Sequence, residues 1–183
     1  MEAVWLSQRS WTTIRVSVVL GVSHMTSCCH CGQATGPRYY SLDKKVERIS
    51  SVVPDARPGQ AEASLTYSVE VDSSMELERY CDARCWHAVE AARIQDYAIR
   101  YPYPEQHGLM ATCSRCGLAF LATHPYVALD VMELTLHEKP WFITAEVHYA
   151  ETLARFCPDC EPPDTLFNSA TALEQPQLLE ALS

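Results

Sequence analysis

The sequence predicts an α+β protein made of two small β-rich modules that duplicate each other, each organised around four cysteines. Eight of the nine cysteines in this chain of 183 residues fall into four close pairs. Alternating apolar residues predict strands between the pairs, and one helix-forming stretch follows the second pair. The pairs are Cys28 with Cys31, Cys81 with Cys85, Cys113 with Cys116, and Cys157 with Cys160.

The surroundings of the pairs indicate an internal duplication. Residues 28–32 and 113–117 both read C-x-x-C-G, and the glycine suits a tight turn because it tolerates a positive φ. Residues 77–81 and 153–157 share the pattern L-x-R-aromatic-C. One copy therefore consists of a C-x-x-C-G turn, extended strands and a second cysteine pair, and we expect the cysteines to group within each copy.

Two thiolates with two or three residues between them can hold one metal ion, so four pairs make two tetrahedral sites, for which Zn²⁺ is the natural ion. We therefore predict two structural Zn²⁺. Cys29 is left over as a free thiol beside the first site. The predicted ligands are Cys28, Cys31, Cys81 and Cys85 in the first module, and Cys113, Cys116, Cys157 and Cys160 in the second.

Two other interpretations of the cysteines stay open. Iron is the less favoured metal, because residues 156–160, Phe-Cys-Pro-Asp-Cys, resemble a rubredoxin knuckle, although iron–sulfur clusters usually show a denser cysteine run. Four disulfides would need an oxidising compartment and would leave the ninth cysteine unpaired. Free thiols and the lack of any apolar run near 18 residues favour a cytoplasmic protein.

The elements follow in order along the chain. Residues 1–24 form either one half-buried strand, because residues 14–22 alternate, or a dispensable extension. Residues 82–100 predict a helix that Pro102 and Pro104 stop. Residues 164–183 are predicted to be a tail. Strands are predicted at 45–52 and 65–71 in the first module, and at 120–123, 126–135 and 141–148 in the second.

The first module, residues 25–104, resembles a treble-clef zinc finger. The resemblance covers Cys28 to about Arg100, where a knuckle and a hairpin precede a cysteine pair at the head of a helix. The second module, residues 105–163, ends differently, because residues 161–163, Glu-Pro-Pro, forbid an immediate helix after Cys160. The second module is therefore similar to a zinc ribbon or to a truncated treble clef.

Charge limits the partners that the chain can take. The formal net charge is −9, and residues 101–183 hold only three of the 14 Lys and Arg residues. A phosphate backbone is therefore repelled by the second module, and any nucleic-acid surface is expected on the first. The other interpretation is that the basic residues only solvate the surface and pair with nearby acids. Candidate contacts are Arg38, Tyr39, Tyr40, Lys44, Lys45, Arg48, Arg84, Arg93 and Arg100.

These observations predict a non-enzymatic, zinc-stabilised adaptor that binds a protein partner as a subunit of a larger complex. The alternative is a nucleic-acid-binding subunit of a ribonucleoprotein, since the tandem four-cysteine layout resembles the small zinc-bearing large-subunit-like protein of type IV CRISPR effector complexes in cysteine layout and size. A nuclease of the HNH kind is disfavoured, because Asn168 in the tail is the single asparagine. No catalytic residue, membrane segment or small-molecule substrate is indicated.

Overall fold

The computed structural model describes residues 15–16, 27–55, 64–139 and 142–162. These residues are mostly in strands, with one α-helix among them, so the predicted α+β class is confirmed in that coarse form. The strands are β1 (Arg15–Val16), β2 (Arg38–Asp55), β3 (Ser64–Tyr80), β4 (Gln106–His107), β5 (Met110–Thr112), β6 (Ala119–Leu121), β7 (Tyr126–Lys139) and β8 (Phe142–Phe156), and helix α1 spans Ala83–Asp96.

A single antiparallel sheet joins the two halves of the chain. Its strand order is β1-β8-β7-β2-β3, and a smaller sheet has the order β4-β5-β6. Strands β2 and β7 pair from Arg38 opposite Thr135 to Glu47 opposite Tyr126. The two regions that the sequence predicts as modules are therefore continuous through their central strands. Of the first 24 residues only β1 is described, and it adds an edge strand beside β8.

The hairpins β2–β3 and β7–β8 deviate from regular pairing at matching points. Leu77 is the extra residue of the first bulge in one hairpin, and Leu153 is its counterpart in the other. Both leucines belong to the L-x-R-aromatic-C pattern, and both are buried. A second pair of bulges leaves Asp72 and His148 as extra residues. Bulges are positioned features of a sheet, and the two hairpins share these two, while β2–β3 has a further register shift between Ile49 and Ser51.

The main hydrophobic core lies on the face of the sheet that α1 covers. Leu42 and Leu129 come from the two central strands, and Phe156 comes from β8; all three have no exposed surface. Trp86 is the buried residue of α1 in this core, at 2% exposure. Side chains from both halves thus fill one core, so neither half encloses its own.

Capping interactions determine where helix α1 begins and ends. The carboxylate of Asp82 accepts a hydrogen bond from the backbone N–H of Cys85 at 3.0 Å, which is an N-cap. At the other end Ala98 has φ 52°, and the N–H of Ile99 donates to the carbonyl of Ile94 at 2.9 Å. This Schellman-type end stops the helix at Asp96, before the prolines that the sequence suggested as its stop. The described residues include no helix that is long and apolar enough to span a membrane.

Buried acids line the opposite face of the central strands. Asp43 lies directly opposite Asp130, and each is less than a tenth exposed. The ammonium group of Lys45 donates to Oδ2 of Asp130 at 2.7 Å. Oδ1 of Asp43 has no hydrogen-bond partner among the residues that the structure describes. Burial raises the pKa of the Asp43 carboxyl from 3.8 to about 6, although Ser41 and Lys45 oppose the shift.

Asp43→Asn is expected to stabilise the protein at neutral pH. Because the pKa of Asp43 is raised in the folded state, that state retains a proton that the unfolded chain releases above about pH 4. The stability that Asp43 contributes is therefore complete below pH 4 and falls by about 3 kcal/mol as the pH rises through 6. Chemical unfolding at several pH values should show the gap between the variant and the wild type widening with pH. If the free energies of unfolding of the variant and the wild type differ by the same amount at every pH, the expectation is contradicted. The control is Asp72→Asn, at an exposed position.

Candidate metal centres

The first cysteine group forms where a knuckle, the end of β3 and the start of α1 meet. Cys28 and Cys31 lie in the knuckle, Cys81 directly follows β3, and Cys85 lies in the first turn of α1. Their four sulfurs all lie within 4.8 Å of one another. The structure therefore brings together the four cysteines that the sequence assigned to the first module.

The second group repeats this arrangement in the other half. Cys113 and Cys116 lie in a knuckle before β6, Cys157 directly follows β8, and Cys160 ends a short 3-10 turn, Pro158–Cys160. Their four sulfurs also lie within 4.8 Å of one another. Pro158 begins the turn, and the two described residues after it, 161–162, are not helical, as the prolines after Cys160 predict.

The spacing of the sulfurs suits a metal ion better than a covalent bridge. Sγ of Cys31 lies 3.5 Å from Sγ of Cys81 and 3.9 Å from Sγ of Cys85. A tetrahedron with metal–sulfur bonds of about 2.3 Å has sulfur–sulfur edges of about 3.8 Å. All nine cysteines are free thiols. Each four-cysteine group can therefore hold one metal ion.

Identical backbone hydrogen bonds shape the two knuckles. The N–H of Gly32 donates to the carbonyl of Cys28, and the N–H of Gly117 donates to that of Cys113, both at 2.9 Å. Both glycines have positive φ, 70° and 76°, which explains the C-x-x-C-G pattern. At Gly117 a side chain would also meet the ring of Tyr101, because a Cβ there would lie 2.9 Å from it.

One cysteine in each group has a lowered thiol pKa, which favours the thiolate form that binds a metal ion. Burial opposes ionisation of Cys28, but backbone N–H donors outweigh burial and lower the pKa of its thiol to about 6. Burial and the neighbouring thiols raise the pKa of Cys81 to about 12. A cation is therefore needed before all four sulfurs ionise together. Cys113 has the same arrangement as Cys28: burial opposes ionisation, and backbone hydrogen bonds from Cys116, Cys157 and Arg115 lower its pKa to about 7.

The arginine of the L-x-R-aromatic-C pattern positions each knuckle, a role that the sequence pattern alone did not reveal. The carbonyl of Arg79 accepts from the N–H of Cys29 at 2.8 Å, and the carbonyl of Arg155 accepts from the N–H of Ser114 at 2.7 Å. Each knuckle is thus hydrogen-bonded to the strand that leads to its partner cysteines. The repetition of the L-x-R-aromatic-C pattern in both halves was the sequence feature that could have indicated this role. Cys29 is exposed and lies outside the four-sulfur group.

The predicted contact residues of β2 do not form one basic surface. Successive side chains of a strand point to opposite faces, which separates Lys44 from Lys45. The ring of Tyr39 is 1% exposed, and the guanidinium of Arg79 lies 4.0 Å from its centre. Tyr40 is half-buried, and its hydroxyl donates to Glu133 at 3.3 Å.

Most of the predicted cationic contacts are engaged with carboxylates. Arg100 is the exception, with an exposed side chain for which the described part of the chain shows no ion pair. Nucleic-acid binding by these residues stays a prediction that no contact favours. The nitrogen–oxygen distances are 2.6 Å for Arg38 with Glu133, 3.8 Å for Lys44 with Glu161, 2.7 Å for Lys45 with Asp130, 3.2 Å for Arg48 with Glu70, 2.9 Å for Arg84 with Asp82, and 2.8 Å for Arg93 with Glu78.

Comparison with known proteins assigns no family to this arrangement. No protein-family model matches the chain, and the comparisons with curated proteins and with solved structures return no match. Function is therefore inferred from the two four-cysteine groups and their surroundings.

Proposed function

We propose that each four-cysteine group binds one structural Zn²⁺ and that the protein works without catalysis, as an interaction subunit of a larger complex. The observation that carries the proposal is the grouping of eight cysteines into two sets of four. Four sulfurs complete a tetrahedral coordination shell, so neither ion would keep the open position that a catalytic zinc needs.

The surroundings of the groups support the finer assignment of the fold. Cys81 and Cys85 flank the start of α1 after a knuckle and a hairpin, which is the order of a treble clef. The second group ends in a short turn and is similar to a zinc ribbon. The matching bulges and knuckle hydrogen bonds support an origin by internal duplication, since independent hairpins would have no reason to share them.

Exposed apolar side chains on an edge strand support a role in binding. Strand β3 lies at one edge of the main sheet, and Val69, Val71 and Met75 are each about half exposed. An edge strand also presents unpaired backbone groups that another chain can pair with. These features favour a protein partner. The described residues offer no specific contact that favours nucleic-acid binding or nuclease activity.

Native mass spectrometry of the purified protein is expected to show two zinc ions for each chain. Exchange of zinc for Co²⁺ should give the absorption spectrum of a tetrathiolate at both sites, because each site has four sulfur ligands. Iron in place of zinc would correct the metal assignment. A folded protein without metal, or a cobalt spectrum with a water ligand, would overturn the structural role.

A further inference from the structure

A cavity of about 270 Å³ lies where the two halves meet, on the side of the sheet that α1 covers. It is separate from both four-cysteine groups. Its size is just below the range of about 300–1,000 Å³ that is typical of small-molecule sites, so it suits one head group or one side chain. The lining residues with aromatic or titratable side chains are Tyr40, Trp86, His87, Tyr103, Tyr149 and Glu151.

Four aromatic rings line this cavity. The rings of Tyr40 and Tyr149 have centroids 6.5 Å apart and planes inclined by 39°. Trp86 packs against Tyr80, with ring centroids 5.5 Å apart in an edge-on arrangement, and Tyr103 comes from the segment after α1. The face of an aromatic ring carries partial negative charge, so several rings around one space attract a cation.

The tyrosine hydroxyls of the cavity donate to carboxylates, which place negative charge at its rim, so these hydroxyls have no proton left to offer an anion. The hydroxyl of Tyr149 donates to Glu151, that of Tyr103 donates to Glu90, and that of Tyr40 donates to Glu133. Each hydroxyl hydrogen is therefore already used. The carboxylates hold in place the tyrosine rings that line the cavity.

The charges around the cavity are net negative. Glu90 has His87 beside it at 3.0 Å, and Glu133 has Arg38 at 2.6 Å. Glu151 accepts from Tyr149 and has no cationic partner in the part of the chain that the structure describes. Glu151 therefore supplies a carboxylate that complements a positive charge at the aromatic cavity.

We propose that this cavity binds a quaternary ammonium group, with the rings of Tyr40, Tyr103 and Tyr149 around the cation and Glu151 as its counter-charge. Such a group needs no hydrogen-bond acceptor and is weakly hydrated, which matches rings whose hydroxyls are occupied. The group can belong to a small choline-like molecule or to a trimethylated lysine of a protein. This proposal names a chemical class of ligand for the binding role proposed above. It rests on that proposed role only because the cavity requires the folded protein.

Titration calorimetry with choline and with its uncharged carbon isostere, 3,3-dimethylbutanol, tests the proposal. Saturable binding of choline with at least about tenfold weaker binding of the isostere is expected, since ring faces favour the charge. A trimethyllysine peptide and its unmodified lysine counterpart form the second arm. Binding of choline alone indicates a small molecule, and binding of the peptide indicates a protein partner.

Variants locate the binding in the cavity. Tyr149→Ala is expected to weaken binding about tenfold or more, whereas Tyr149→Phe keeps the ring and should retain most of it. Glu151→Gln should weaken binding severalfold, and Glu70→Gln, at an exposed position elsewhere, is the matched control. Equal binding of choline and the isostere, or no binding of any quaternary cation, would overturn the proposal. Metal content is measured in the same samples. If two zinc ions are present but no quaternary cation binds, the cavity proposal is wrong and the zinc assignment is unaffected. If the zinc assignment is wrong, the metal measurement shows it separately.

Discussion

Cys113→Ser is expected to remove metal from the second group and to unfold much of the protein. Cys113 is fully buried, and the pKa of its thiol is lowered to about 7, so it is the ligand of its group best prepared to bind first. Structural zinc contributes about 10–16 kcal/mol in small zinc-finger peptides, as much as the whole net stability of a typical domain. Because β7 pairs with β2, the loss is expected to spread into the first half.

Native mass spectrometry and circular dichroism measure this outcome. The matched control is Cys29→Ser, since Cys29 is exposed and outside the four-sulfur group, and this variant should keep two ions and its melting temperature. A Cys113→Ser protein that melts like the wild type with one ion bound would show that the second group does not hold the fold together.

Arg93→Ala is expected to destabilise the protein by about 3 kcal/mol or more. Its guanidinium nitrogen lies 2.8 Å from Glu78, whose side chain is 4% exposed and also accepts a hydrogen bond from Tyr80. Removing one member of a buried ion pair leaves the other charge without compensation, which typically costs about 3–5 kcal/mol. Chemical unfolding of the metal-loaded protein measures the effect.

Two further variants show whether the buried charge is the cause. Adding Glu78→Gln to the Arg93→Ala variant should recover part of the lost stability, because a neutral amide is less costly to bury than an unpaired carboxylate. Arg84→Ala removes an arginine from the same helix whose side chain is 93% exposed, and no measurable change is expected. Similar losses in Arg84→Ala and Arg93→Ala would contradict the explanation.

The basic residues show where local reasoning from the sequence was insufficient. Lys45 and Asp130 are far apart along the chain, yet they form an ion pair because β2 lies beside β7. Arg38 meets Glu133 for the same reason. A run of cations in one segment resembles a binding surface until the strand that faces it, with its own acids, is known. That pairing depends on which strand of one half lies next to the other half, and no local spacing encodes it.

The sequence by itself determined the eight cysteines that form two groups, the duplicated pattern around them, the helix after Cys85 and the lack of helix at residues 161–162, directly after Cys160. These features follow from short-range chemistry, since ligand spacing, turn glycines and prolines act within a few residues of one another. Only the tertiary structure decided that both halves share one sheet and one core, and that their junction encloses an aromatic cavity. Strand pairing between the halves is a long-range choice governed by the joint burial of side chains from β2, β7 and α1, and only the folded chain brings those side chains together.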